Sequence, residues 1–353
     1  MTILQISCSG TAYEIGRQHG IQAADLVKGS IQFYADMFES YTGNTWVEIT
    51  HIAETFARNI EREWPKFYEE MKGVADGAGC TVVDIVALNT RTEIVFGLMD
   101  PERVISDGCT SLSWIRDSRN RMGQNWDWME EQKTNIVLLT IAQPGYPVIK
   151  IVTEAGIIGK IGLNSSGLAV CLNAVRCSGH DTTKLPLHLA LRLVLESETL
   201  SQAVDEIVST GIAGSGFLLL GQDDQSVGLE VTSKTIKRID TDSLGRIMHS
   251  NHLLLQHEGA IEWPEDDSFT RLKRITELTD AHHAKREAEL SEDDLLGFFD
   301  DHYNKPFSIC RWQEKECKDA TLFNIIVDLD AKRAVVRTGK VCLVEEEIYL
   351  DFE

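Results

Sequence analysis

Apolar residues recur at helical spacing through the first third of the chain and at strand spacing through most of the remainder. After a short alternating run at residues 3 to 8, Val27, Ile31, Tyr34 and Phe38 mark one face of an amphipathic helix. Thr45-Trp46-Val47-Glu48 reads as a capping box, and the stripe Ile49, Ile52, Phe56 and Ile60 continues to a stop or kink at Pro65. Gly77-Ala78-Gly79 breaks the pattern before Thr81-Val82-Val83-Asp84 starts another helix towards Phe96. Residues 10 to 100 are therefore predicted to be mostly helical.

The texture changes after Cys109. Residues 111–115 and 122–128 flank a polar turn in a hairpin pattern, and strand signals continue over 136–142, 148–153, 157–163 and 168–173. Two helices follow, opened by Pro186 and by Thr199-x-x-Gln202, before strands resume at 217–220, 227–231, 236–239 and 246–250. A charged helical region near residues 269–303 precedes the last strands, 321–328 and 334–337. Short turns join neighbouring strands, so this order predicts two packed antiparallel sheets with helices outside, an α+β chain of four layers. Gly156-x-x-Gly159-x-x-Gly162 lacks the dinucleotide-binding spacing and is assigned to turns and close sheet packing.

Lys and Arg total 34 against 55 Asp and Glu, and the net charge of -21 argues against general binding to nucleic acid or acidic membranes. An anionic ligand needs a local basic pocket. Lys150, Lys160 and Arg176 are candidates by charge alone, against a plainer reading as solvated side chains. The charge runs Glu61 to Lys72, Glu262 to Asp267 and Glu345 to Glu347 are assigned to solvated faces. The chain opens without a basic segment followed by an apolar one, and no run approaches the roughly 18 apolar residues of a membrane span. Eight cysteines without a C-x-x-C pair suit reduced thiols, and Asn164-Ser165-Ser166 is read as a polar turn.

Gly108-Cys109 stands where the texture changes. A cysteine after a flexible glycine can attack the carbonyl of its own preceding peptide bond, and hydrolysis of the resulting thioester frees Cys109 as a new N-terminus. Thiol nucleophile and amine base would then share one residue, the amine with an ordinary pKa of about 7.7 to 8.0. The following hairpin returns Asp127, among Asn125, Trp126 and Trp128, to the same sheet end, where its carboxylate would orient the amine. Asn251 and Asn173 end strands and are candidate oxyanion donors. Arg311 follows a short apolar run, where it would hold a carboxylate or depress the thiol pKa, while the adjacent Cys310 is read as packing. Taken singly, these residues read equally as a turn acid, turn amides and a surface arginine. His249, His252 and His257 have a spacing open to zinc, but no cysteine or acid completes a local set and no metal is expected.

Asp107-Gly108-Cys109-Thr110, Gln124-Asn125-Trp126-Asp127, Thr153 to Lys160, Asn251-His252-x-Leu254-Leu255-Gln256-His257 and Pro306 to Arg311 together resemble the fungal isopenicillin N acyltransferase family, the acyl-coenzyme A:6-aminopenicillanate acyltransferases. Asn89 to Glu93 and Ala320 to Ile326 extend the resemblance, which runs nearly end to end. It implies an αββα core of the N-terminal-nucleophile hydrolase type, and a precursor cut into residues 1–108, mainly helical, and residues 109–353; the apolar stripes of the helical part predict that the two stay together as one unit. Cys109 matches the nucleophile, Asp127 lies near it, Asn251 matches the oxyanion asparagine and Arg311 the active-site arginine; Asn173 is an addition to that set. The implied reaction exchanges the side chain of isopenicillin N, or acylates 6-aminopenicillanic acid, from an acyl-CoA such as phenylacetyl-CoA. No cofactor beyond this co-substrate is expected, nor any nucleic-acid or membrane partner.

The ending Leu350-Asp351-Phe352-Glu353 departs from the peroxisomal Ser-Lys-Leu type of address found in the penicillin-making enzymes, so a cytoplasmic location and a paralogue of altered acyl preference are the expectation. Two alternatives stay open: an N-acyl amide hydrolase that does not use CoA, and an uncleaved, non-catalytic relative.

Overall fold

A computed structural model describes residues 2–98, 108–285 and 290–352; Asp107 of the cleavage motif lies outside them. Strand β1 (Leu4–Ser9) leads into α1 (Ala12–Gln22), α2 (Ala24–Thr42), α3 (Trp46–Glu63), α4 (Pro65–Ala78), α5 (Val82–Asn89) and α6 (Arg91–Leu98). The capping boxes at Thr45 and Thr81 form as their spacing predicts: the Glu48 carboxylate accepts the Thr45 N–H at 2.8 Å, and Asp84 accepts that of Thr81 at 2.9 Å. Pro65 fills the first turn of α4, where a missing N–H leaves nothing unsatisfied. Helices α1 and α4 cross so closely that a Cβ at Gly16 or Gly73 would strike the opposing backbone.

β2 (Thr110–Arg116) and β3 (Arg119–Met129) make the expected hairpin, followed by β4 (Ile136–Ala142), β5 (Ile149–Glu154), β6 (Ile161–Asn164) and β7 (Ala169–Ala174). Helices α7 (Leu187–Glu196) and α8 (Leu200–Thr210) separate these from β8 (Gly216–Gln222), β9 (Gln225–Val231), β10 (Ile236–Ile239) and β11 (Arg246–His249). Helices α9 (Asp266–Ala284) and α10 (Glu292–Phe299) precede β12 (Asp319–Asp328), β13 (Arg333–Lys340) and β14 (Leu343–Leu350).

One sheet runs β1-β4-β5-β6-β7-β8-β9-β10 and the other β11-β2-β3-β12-β13-β14. Helix α7 covers β6 and β7, with α5 behind it, while α9 and α10 cover β11, β3 and β12. This is the four-layer α+β sandwich expected from the sequence. Leu112 and Trp114 point from β2 to Ile275, Leu295, Phe298 and Phe299 in the outer layer. By alternation Ser111 and Ser113 face the other sheet, where Ser113 Oγ donates to Ser226 Oγ at 2.6 Å. The space between the sheets is therefore polar beside Cys109.

Three details differ from the sequence pattern, the first being β14, a strand over Leu343–Leu350 where the sequence reads only the solvated charge run Glu345 to Glu347. β1 lies parallel to β4, because the helices between them carry the chain back before β4 begins. Residues 157–160 are not strand: Gly156 turns the chain at φ 96°, and the segment enters a buried loop against α7. Among the described residues no helix is long and apolar enough to cross a membrane.

Candidate active site

Cys109 immediately precedes β2, and the pairing of Thr110 with Asn125 sets it across from the end of β3. Its side chain is buried, with Sγ 3.9 Å from the Asp127 carbonyl oxygen. The hairpin thus brings Asp127 to Cys109, as its length predicts. The Asp127 carboxylate is buried and accepts the Thr321 hydroxyl at 2.6 Å, and Thr321 Oγ1 in turn accepts the Arg311 N–H at 2.9 Å.

Two side chains meet the Cys109 carbonyl oxygen: Asn173 Nδ2 donates at 3.1 Å and Arg271 Nη1 at 2.6 Å. The other arm of Arg271 donates to Asn251 Oδ1 at 2.9 Å, while Asn251 Nδ2 donates to Ala174 O at 2.9 Å. Both asparagines singled out from the sequence therefore reach the nucleophile's neighbourhood. Arg311 is fully buried, and its guanidinium so crowds Gly108 that any Cβ there would collide with it. Glycine at 108 lets the Arg311 side chain lie against the backbone there; a larger residue would have to displace it.

Arg271 and Asp267 were not legible as site residues. Asp267 Oδ2 accepts from Arg271 Nε at 3.1 Å and from Arg311 Nη1 at 2.6 Å, so it joins the two guanidiniums. This corrects its assignment to a solvated charge run. Burial pushes the Asp267 carboxyl up, but the two arginines hold it below its ordinary value. The signal in the sequence was the i,i+4 pairing of Asp267 with Arg271 at the start of α9.

The histidines flanking Asn251 serve its placement. His249 Nε2 and His257 Nε2 contact the two carboxylate oxygens of Glu230 at 2.9 and 3.2 Å, which also accept the N–H groups of Leu254 and Leu255. His252 Nδ1 meets Ser268 Oγ at 2.7 Å, and the same oxygen accepts the Asn251 N–H at 2.8 Å. The loop that carries Asn251 is thus fixed on a buried carboxylate.

A further ionic cluster adjoins Trp126. Lys160 is fully buried, which corrects its reading as a solvated lysine; its ammonium pairs with Glu154 and lies 3.9 Å from the Trp126 ring centroid. Glu154 also accepts from Arg91 at 2.9 Å, from Gln132 at 3.1 Å and from the Tyr34 hydroxyl. Burial raises the Glu154 carboxyl, yet Arg91 and Lys160 draw it well below the ordinary range. Burial pushes the Lys160 ammonium down to about 8 against the pull of Glu154, a carboxylate that it shares with Arg91. Of the other cations considered for an anionic ligand, Arg176 packs on Trp263 and Lys150 lies 3.9 Å from Asp351. An open groove of about 560 Å³ borders Asp267 and is lined by Glu265, Asp266, Thr270, Asn304 and Phe307 among others.

Residues 114–341 match the family model for acyl-coenzyme A:6-aminopenicillanic acid acyl-transferase. The chain belongs to this family. A relative within the acyltransferase family, the acyl-coenzyme A:6-aminopenicillanic-acid-acyltransferase 40 kDa form of Emericella nidulans, is 38% identical over 354 aligned positions, covering 99% of this chain and 96% of the relative. Among solved structures, conjugated bile acid hydrolase from Clostridium perfringens is similar at 16% identity and a TM-score of 0.49, covering 69% of this chain and 92% of that one. Penicillin V acylase from Agrobacterium tumefaciens is similar at 12% identity and a TM-score of 0.47, covering 69% and 86%.

Proposed function

We propose that this member of the acyltransferase family is an autoprocessed cysteine acyltransferase. The observation that carries the reading is the convergence of Asp127, Asn173, Asn251 and Arg311 on Cys109 from four separate parts of the chain. In processing, the Cys109 thiol attacks the Gly108 carbonyl carbon, and the C–N bond breaks as the thiol proton passes to the departing amine. Water then hydrolyses the thioester, leaving a Gly108 carboxylate, a free thiol and a free α-amine.

In turnover the α-amine takes the thiol proton and the thiolate attacks an acyl thioester. A coenzyme A thiol leaves with a proton, and Cys109 carries the acyl group. The amine of 6-aminopenicillanic acid, formed when the α-aminoadipyl side chain of isopenicillin N is removed, then takes the acyl group as an amide. Asn251 is the proposed oxyanion donor: Arg271 holds its carbonyl end, which orients the NH2 end as donor. Asn173 holds the Cys109 carbonyl, and Arg311 keeps positive charge at the cleaved bond. The α-helical fragment before Cys109 stays bound, because Arg91 and Tyr34 are tied to Glu154 across the cut.

A second reading, hydrolysis of N-acyl amides without CoA, draws on the groove beside Asp267. Its rim carries Glu265 and Asp266, which disfavour the phosphates of CoA. One experiment addresses both. Freshly purified protein is examined by intact mass, where cleavage divides 39.5 kDa into about 12 and about 27 kDa. It is then incubated with labelled phenylacetyl-CoA and 6-aminopenicillanic acid. Label in the penicillin amide supports transfer, label released only as free acid supports the second reading, and an uncut chain inert in both assays overturns both.

A further inference from the structure

Behind Arg311 lies a group of side chains that the acyl-transfer chemistry does not use. Asp300 ends α10, His302 follows in the next loop, Cys310 closes that loop one residue before Arg311, and Cys342 sits in the turn between β13 and β14. One carboxylate oxygen, one imidazole nitrogen and two sulfurs from these residues lie within 4.8 Å of one another.

Two of their spacings match the edges of a tetrahedral shell. The two sulfurs are 3.7 Å apart, and Asp300 Oδ1 is 3.2 Å from His302 Nε2. Sulfurs held at about 2.3 Å from a central zinc ion are separated by about 3.8 Å, and nitrogen and oxygen held at about 2.0 to 2.1 Å by about 3.3 Å. Asp300 Oδ1 is itself buried and, beyond its contact with His302 Nε2, accepts no hydrogen bond of good geometry among the described residues, so it is directed into the group as an acceptor.

We propose that Asp300, His302, Cys310 and Cys342 bind one zinc ion in a structural site. Two thiolates and an imidazole select a borderline-soft cation over calcium or magnesium. Four protein ligands complete the tetrahedron, leaving no position for a reacting water. Binding releases two thiol protons to solvent; with a carboxylate, a neutral imidazole and the dication, the site carries a net charge of -1. Asp300 and His302 are partly exposed and give the ion a path in, while Cys310 is fully buried. The ion would pin the loop before Arg311 to the β13–β14 turn. Arg311 in turn donates its N–H to Thr321, which bonds Asp127, so the metal braces that side of the cleft from behind. The sequence conceals the site because Cys310 and Cys342 are 32 positions apart.

The test uses the full chain, purified without chelators, with zinc content measured after exhaustive dialysis. One zinc per chain is expected, with binding weakened about tenfold or more in His302→Ala and in Cys342→Ser. His283→Ala, an exposed histidine of α9, retains the wild-type content. Cobalt(II) substituted into the wild type shows thiolate-to-metal charge-transfer absorption that Cys342→Ser lacks. Chelation lowers the melting temperature of the wild type but not of His302→Ala. The proposal is overturned if the wild type takes up neither metal while both thiols react with a disulfide reagent. It is also overturned if His302→Ala and Cys342→Ser each keep the wild-type zinc content, or if Cys310 and Cys342 are found joined as a disulfide. Failure of acyl transfer leaves these readouts untouched.

Discussion

Arg271 donates to the carbonyl oxygen of Cys109 at 2.6 Å across 162 positions of sequence. With its second arm on Asn251 Oδ1 and its Nε on Asp267, one guanidinium fixes the start of the nucleophilic strand, the proposed oxyanion donor and the carboxylate that holds Arg311. Arg271→Met releases all three. A fall of about 100-fold in acyl-transfer rate is expected, the scale set by losing one oriented oxyanion donor. A stability loss of about 3 kcal/mol should accompany it, because Asp267 keeps only one cation. Arg271→Lys restores the charge beside Asp267 but not the two-armed geometry, so stability should recover further than rate. An Arg271→Met enzyme with wild-type kcat would remove Arg271 from the mechanism.

Asn251 and Asn173 are expected to separate kinetically. Asn251→Ala takes away the proposed oxyanion donor, and kcat should drop about 10²- to 10³-fold while iodoacetamide still alkylates Cys109. Asn173 bonds the Cys109 carbonyl and accepts the Ser111 hydroxyl at 2.7 Å, so Asn173→Ala should slow processing, visible as accumulated uncut mass, more than it slows turnover of chains already cut. If Asn173→Ala proves the more damaging to turnover, the two roles are exchanged.

Local rules made much of this protein legible. The capping boxes at Thr45 and Thr81, the break at Gly79 and the hairpin that returns Asp127 to Cys109 depend on neighbours in sequence, and each forms where its pattern stands. Burial of charge was not legible. Asp267, Arg271, Glu154 and Lys160 carry the composition of solvated faces, and only the packing of α9 on β11 and of the 157–160 loop on α7 encloses them. A lone lysine in a Gly-rich stretch says nothing about a glutamate six residues earlier that two cations share. The parallel placement of β1 was equally hidden, since it depends on where the intervening helices return the chain.

The shared carboxylate gives an ordering. Glu154→Gln leaves Arg91 and Lys160 buried together without their counter-charge and should cost about 3 to 5 kcal/mol. Lys160→Met leaves Glu154 with Arg91, Gln132 and Tyr34 as donors, so it should cost less than Glu154→Gln. Urea unfolding in a Cys109→Ala background, which keeps the chain uncut, measures both. The reverse order would mean that Lys160, rather than Glu154, is the centre of the cluster.

Glu93 predicts a pH dependence of stability. It is buried in α6, accepts the Leu187 N–H at 2.7 Å through one oxygen, and its other oxygen makes no hydrogen bond among the described residues. Burial raises its carboxyl from the ordinary 4.5 to about 7 despite that N–H. The folded protein therefore holds a proton that the unfolded chain releases first, and stability must fall as pH rises from about 4.5, with the full penalty reached above about 7. Its size is about 3 kcal/mol. Glu93→Gln keeps an acceptor for Leu187 and cannot ionise, so its advantage over wild type should grow between pH 5 and pH 8 by about that amount. Denaturant unfolding at the two pH values, again in the uncut Cys109→Ala background, decides it: an advantage that is constant with pH would mean that Glu93 is already ionised in the folded protein, with a cation supplying what its second oxygen needs.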